Sequence, residues 1–303
     1  IGATEDFFDL GGDSLLAVRL VAELEALTGR TAALDAIAAA PTPRGIAAIL
    51  TAEGFPWQTA DCITLHPNGP GRPLFAICGA WGWAVRLLRV GRALGDAVPV
   101  HALQPPAMTW PAGADLPAMA AHYVREIERR APRGPIRLLG TSFGGILAFE
   151  VAVQLEARGR SVALLAMVDS AAPGSPLREP PPPAVAGSIE AAGRRVYLAH
   201  LAASETYEPA ARFGGRIVYF QCQRSLSRDV PSRWRPHARG GVDVVVVPGE
   251  HGQFHVEPQL GAIVARLAVE LAAAAGARQE PDALLQREHA PERTIESVDA
   301  ELA

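Results

Sequence analysis

Three side chains in this sequence could carry out nucleophilic acyl chemistry together: Ser142, Asp169 and His251. Ser142 lies in Gly140-Thr141-Ser142-Phe143-Gly144-Gly145, between an apolar run ending at Leu139 and a helical pattern starting at Ile146. A serine on a sharp strand-to-helix turn needs neighbours nearly free of side chain, and Gly140 and Gly144 stand two residues either side of it. Such a turn aims the N–H of Phe143 and the positive end of the following helix at a developing oxyanion. A hydroxyl nucleophile also needs a base, and the base needs a group to orient it. Asp169 is the first polar residue after the apolar stretch from Val162 to Val168. His251 follows the Val242–Val247 run, in Pro248-Gly249-Glu250-His251-Gly252. His255 is the rival base; His251 is preferred because it is nearer the strand end and sits beside a glycine on a tight turn. His66, His101, His122, His200, His237 and His289 read as surface or core residues and are assigned no role.

The elements that must position these groups follow from the apolar pattern. Short buried runs at 73–78, 98–103, 136–139, 162–168, 216–220 and 242–247 read as strands. Helical patterns at 84–94, 116–130, 146–158 and 259–274 alternate with them, which argues for a mostly parallel sheet covered on both faces. In such sheets reactive groups gather beyond the carboxyl ends of the strands, where Ser142, Asp169 and His251 are all predicted to fall. Their chain order, serine then acid then histidine, is that of α/β-hydrolases.

Composition narrows the remaining classes. The 303 residues allow about two domains, 49% are hydrophobic, and no apolar run is long and charge-free enough to cross a bilayer. The N-terminal residues have neither a basic flank nor an apolar signal core, so a cytoplasmic protein with no membrane partner is expected. The net charge is −4 and every basic side chain among the 28 is arginine, with no basic stripe for nucleic acid. Arginine without lysine, with abundant alanine, glycine and proline, points to a bacterial, GC-rich genome. Cys62, Cys78 and Cys222 fit neither a metal spacing nor a disulfide framework, so reduced structural thiols and no metal are expected.

Residues 1–52 read as a small all-α unit. Asp6-Phe7-Phe8-Asp9-Leu10-Gly11-Gly12-Asp13-Ser14-Leu15 is a loop running into a helix that Asp13 or Ser14 caps and Gly29 closes, and Pro41-Thr42-Pro43 opens a second, short helix. The motif, with Ala40-Pro41-Thr42 downstream, resembles peptidyl and acyl carrier proteins of nonribosomal peptide and polyketide assembly lines, and its double glycine is closer to the peptidyl type. The resemblance implies a helical bundle and a covalent 4′-phosphopantetheine on Ser14, where a helix N-terminus would help hold the phosphate. The helix that precedes this motif in the family is expected to be missing from this chain.

Residues 53–62 read as linker and 63–275 as a second domain, with a polar tail over 276–303. The second domain resembles the thioesterases that end nonribosomal peptide synthetases. The resemblance rests on Pro73-Leu74-Phe75, the Ser142 elbow, Asp169, Tyr207 before Gly215-Arg216-Ile217, Trp234 and Pro248-Gly249-Glu250-His251. It implies an α/β-hydrolase fold with a short helical lid at about 171–213, opened by a proline run and containing a helix over about 185–204. Ser142 would then be the nucleophile, His251 the base and acid, and Asp169 its orienting group. The oxyanion donors would be the backbone N–H groups of Phe143 and, by motif position, Ala80. Here the family's usual His-Pro-x-Gly-Gly is replaced by Cys78-Gly79-Ala80-Trp81-Gly82, and Trp81 and Trp83 either shape the pocket mouth or pack beneath the lid. The reading implies an acyl or peptidyl thioester substrate, upstream condensation and adenylation modules, and a phosphopantetheinyl transferase as partners. The alternatives are a carrier fused to an inert hydrolase-fold docking scaffold, and a generic serine esterase.

Overall fold

The computed structural model describes residues 1–12, 14–28, 40–51, 61–69, 71–174, 188–225 and 230–276. Most of the expected linker, the proline run at 180–183, the closing Gly29 and the tail beyond Gly276 lie outside the described residues.

Among the described residues seven strands form one sheet: β1 (Cys62–His66), β2 (Leu74–Ile77), β3 (Val100–Leu103), β4 (Ile136–Thr141), β5 (Val162–Val168), β6 (Ile217–Arg224) and β7 (Val242–Glu250). Their spatial order is β1-β3-β2-β4-β5-β6-β7. Only β1 runs antiparallel, pairing Cys62 with Leu103 and Ile63 with Ala102. Six strands are those the apolar runs predict; β1 is an addition. Its five residues expose Thr64 between buried neighbours, the alternation of an edge strand rather than a continuous apolar run.

Period-two alternation sorts the strand residues into two cores. Phe75, Ile77, Leu138, Leu165, Met167, Ile217 and Tyr219 face one side, where α4 (Leu116–Arg130) and α5 (Phe143–Ala157) cover them. Leu74, Ala76, Leu139, Ala166, Val168, Val218 and Phe220 face the other, beneath α3 (Leu88–Leu94) and α8 (Gln259–Gly276). Helix α5 is buried on nearly every side, from Phe143 to Val153, as suits a helix apolar all round. A further helix, α6 (Ser188–Glu205), lies between β5 and β6 in the chain and matches the predicted lid helix within three residues at its start. The short helix α7 (Val230–Trp234) has no counterpart in the apolar pattern.

The N-terminal segment supplies α1 (Ser14–Thr28) and α2 (Pro43–Thr51). It packs on the second core: Phe8, Ala17 and Val21 are buried in the same cluster as Val90, Leu94 and Leu267. One ion pair fixes this contact. Arg92 of α3 donates to both carboxylate oxygens of Asp6, at 3.0 and 2.7 Å, with its guanidinium 5.3 Å from the Phe8 ring centroid. Burial works against the charged carboxylate, but the Arg92 guanidinium and the Phe8 N–H outweigh it and hold Asp6 below its usual range. Replacing Arg92 with alanine should loosen the segment by about 1 kcal/mol, given that the pair is partly exposed. Hydrogen exchange should then quicken about fivefold at Leu10, Gly11 and Gly12, with β4 and α5 unaffected.

Candidate active site

The carboxyl ends of β4, β5 and β7 bring the three predicted side chains together. Ser142 leaves β4 with φ 52° and ψ −123°, a left-handed conformation forced by the turn into α5. Its N–H donates to Val168 O at 2.8 Å and its C=O accepts from Gly145 N at 3.0 Å, so both neighbouring elements clamp the turn. The flanking glycines are required by close approach. A Cβ on Gly140 would meet Gly144 O, and one on Gly144 would meet Ile77 O and Cys78 O. All of these are backbone atoms, which no side-chain rotation can relieve. A Gly144→Ala substitution should therefore cost 1–3 kcal/mol of stability, about the price of overpacking a core, read as a lower denaturation midpoint.

Asp169 directly follows β5 with φ 44°, held there by its N–H donating to Phe220 O at 2.8 Å. This left-handed turn swings its carboxylate toward His251, one residue past the end of β7. The His251 Nδ1 donates to Asp169 Oδ2 at 2.8 Å, and Ser142 Oγ lies 3.1 Å from His251 Nε2. The Asp169 side chain is 4% exposed and that of His251 16%, so water reaches the imidazole but scarcely the carboxylate. Cys222 N faces the second carboxylate oxygen at 3.5 Å. Arg86 holds the histidine loop by donating to Gly252 O at 3.0 Å while its guanidinium lies over the Phe254 ring. His251, not His255, therefore bridges Ser142 and Asp169. Cys62, Cys78 and Cys222 are all buried and none is in a disulfide among the described residues, and burial pushes Cys62 and Cys222 up to about 12.

Phe143 is the first residue of α5, so its N–H has no partner within the helix. The Ala80 N–H makes no backbone hydrogen bond among the described residues, and Ala80 itself is buried in the turn closed by Gly82 N to Gly79 O at 3.0 Å. Trp83 is buried beneath α6, so the packing alternative holds for it.

Sequence reasoning passed over His200. It is buried at 1% exposure, 4.2 Å from the Phe143 ring in a stacked arrangement, and its Nδ1 lies 2.8 Å from Ala80 O. Trp110 Nε1 donates to its Nε2 at 2.9 Å. No sequence signal marks it, because these partners come from three separate stretches of chain. Burial lowers its pKa to about 4, against the opposing hydrogen bond to Ala80. Between the ordinary value near 6.5 and about 4 the unfolded chain therefore takes up a proton that the folded chain refuses. Stability should fall as pH drops through that window, and a His200→Phe protein should lack this component in melts at pH 6.5 and pH 4.5.

Residues 72–182 match the family model of the thioesterase domain, and residues 1–50 that of the phosphopantetheine attachment site. The chain is a carrier segment followed by a thioesterase domain. Its relatives include the probable non-canonical nonribosomal peptide synthetase CymA of Salinispora arenicola, 36% identical over 180 residues, or 56% of this chain and 2% of that protein. Enterobactin synthase component F of Escherichia coli K12 is 33% identical over 172 residues, covering 55% of this chain and 13% of that one. The carrier–thioesterase chain thus spans only a small part of the synthetases it matches. Among solved structures, the NocB thioesterase domain from the nocardicin cluster superposes with a TM-score of 0.61 at 27% identity, over 71% of this chain and all of that one. The four-domain nonribosomal peptide synthetase holo-AB3403 shares the fold, with a TM-score of 0.62 at 22% identity over 88% of this chain and 24% of that one. Among the described residues of the carrier and thioesterase units, no helix is long and apolar enough to cross a membrane.

Proposed function

We propose that this chain ends an assembly line, with Ser142 taking the acyl or peptidyl group from the carrier thioester and releasing it as a free acid or a cyclic product. The observation that carries this reading is the hydrogen-bonded series from Ser142 Oγ through His251 to Asp169, on a strained turn at a helix N-terminus. An inert docking scaffold has no use for such an arrangement. A generic esterase has no use for the carrier segment.

The steps follow from the geometry. His251 Nε2 takes the Ser142 proton as Oγ attacks the thioester carbonyl, and the new oxyanion lies at the N–H groups of Phe143 and Ala80. Collapse breaks the carbon–sulfur bond, and His251 returns the proton to the leaving thiolate. Water or a nucleophile within the acyl chain, deprotonated by His251, then attacks the Ser142 ester, and the proton goes back to Ser142. Asp169 holds the His251 proton on Nδ1 throughout and stabilises the imidazolium.

The carrier residues fit a phosphopantetheine. Ser14 is the first residue of α1, after a Gly11-Gly12 turn in which a Cβ on Gly12 would strike the Phe7 ring, and the amides of the first helical turn have no helical acceptor. When bound, that group supplies the thiol that carries the acyl chain. The tether raises the effective concentration of thioester at Ser142. Upstream condensation and adenylation modules would supply the chain, and a phosphopantetheinyl transferase would modify Ser14. Arginine without lysine favours a bacterial source, and the likeness to nonribosomal peptide synthetases favours the interior of the cell as its place of action.

A fluorophosphonate probe tests the reading. The NocB thioesterase domain has been captured in a covalent complex with a fluorophosphonate nocardicin G analogue. The parent chain should gain one phosphonyl group and Ser142→Ala none. Equal labelling of both would contradict it.

A further inference from the structure

Helix α6 meets the loop 79–83 through one face, formed by Gly193, Val196 and His200 at helical spacing. The contact is close at each point. A Cβ on Gly193 would come within 2.8 Å of Trp83 Nε1, and one on Gly82 within 2.7 Å of Val196 Cγ1. The absence of side chain at Gly193 and Gly82 is thus matched to Trp83 and Val196 across the interface.

His200 completes that face, and its protonation follows from its partners. An indole N–H only donates, so Trp110 requires His200 Nε2 to be an unprotonated acceptor. The ring proton is then on Nδ1, which donates to Ala80 O at 2.8 Å. Its ring also stacks on Phe143 at 4.2 Å and 22°. One neutral imidazole, carried by α6, thus touches both residues whose amides face the oxyanion. The hydrogen bond fixes the peptide leaving Ala80 and so the orientation of that residue, while the stack fixes the start of α5.

We infer that His200 is a positioning residue, locking Ala80 and Phe143 in oxyanion-binding geometry and making that geometry depend on the seating of α6. The inference rests on the proposed role of Ser142, and it goes beyond it in placing one determinant of transition-state stabilisation on the helix between β5 and β6. Preorganised donors lose much of their effect when displaced by fractions of an ångström, so the consequence should appear in kcat rather than KM.

The test uses the full chain, a hexanoyl N-acetylcysteamine thioester as substrate, and fluorophosphonate labelling of Ser142. His200→Phe keeps the stack on Phe143 but removes the donor to Ala80. His200→Asn loses the stack but keeps an N–H where Nδ1 stands. Positioning predicts that His200→Phe lowers kcat and the labelling rate roughly 10- to 100-fold at unchanged KM, and that His200→Asn recovers the part of the loss that belongs to Ala80, so that it is the faster of the two variants. A merely structural role predicts the reverse order, with the aromatic replacement better tolerated and activity following the melting temperature. That reverse order, or a His200→Phe protein as fast as the parent, would overturn the inference while leaving Ser142 labelled in the parent. An unlabelled parent would overturn the reading of Ser142 and this inference with it.

Discussion

A His251→Ala protein should turn over thioesters about 10⁶-fold more slowly than the parent, the loss expected when the base of a serine–histidine pair is removed. The geometry leaves no substitute. Ser142 Oγ has His251 Nε2 at 3.1 Å, and the Asp169 carboxylate that orients a base is already committed to His251 Nδ1 at 2.8 Å. Because the groups act as a unit, a Ser142→Ala, His251→Ala double variant should be no slower than either single one. Single-turnover measurements on a soluble thioester, beside melting curves, would read both. A loss below 100-fold would mean that His255 or solvent can serve, and that the hydrogen-bonded series is not the working one.

The second large effect belongs to Asp169→Asn, expected to cost about 10⁴-fold in kcat with the fold intact. Asparagine has nearly the same shape, and it tolerates the left-handed φ of 44° better than most residues. The bond from residue 169 N–H to Phe220 O is backbone and survives. What changes is the proton on the imidazole. An amide that donates to His251 Nδ1 leaves the ring proton on Nε2, which then cannot accept from Ser142. A normal melting temperature with lost turnover is the expected pair of results. A variant that kept a tenth of the activity would show that Asp169 does not set the tautomer.

Much of this site was legible in the chain because its parts sit at strand ends. Each apolar run announces a buried parallel strand, and reactive groups stand within a few residues of its end; Asp169 directly follows Val168, Ser142 comes three residues after Leu139 and His251 four after Val247. The elbow glycines were legible for the same steric reason that the structure displays, a Cβ meeting backbone atoms of β2 and α5. Edge strand β1 was not, since five half-alternating residues give neither a long apolar run nor a turn signal. His200 was not legible either. Its meaning comes from Ala80, Trp110 and Phe143, residues 57 to 120 positions away in the chain, and within α6 it looks like any core histidine. Nor does the sequence reveal that Asp6, inside the carrier motif, is held by Arg92 of the thioesterase domain.

The most direct test of the central claim follows the acyl group itself. A promiscuous phosphopantetheinyl transferase would install an acyl-phosphopantetheine on Ser14 of the parent chain and of Ser142→Ala, and intact mass would be recorded over time. The acyl mass should leave the parent within minutes and persist on Ser142→Ala, with the released product showing whether water or an internal group attacked. Equal lifetimes on the two chains would contradict the transfer to Ser142.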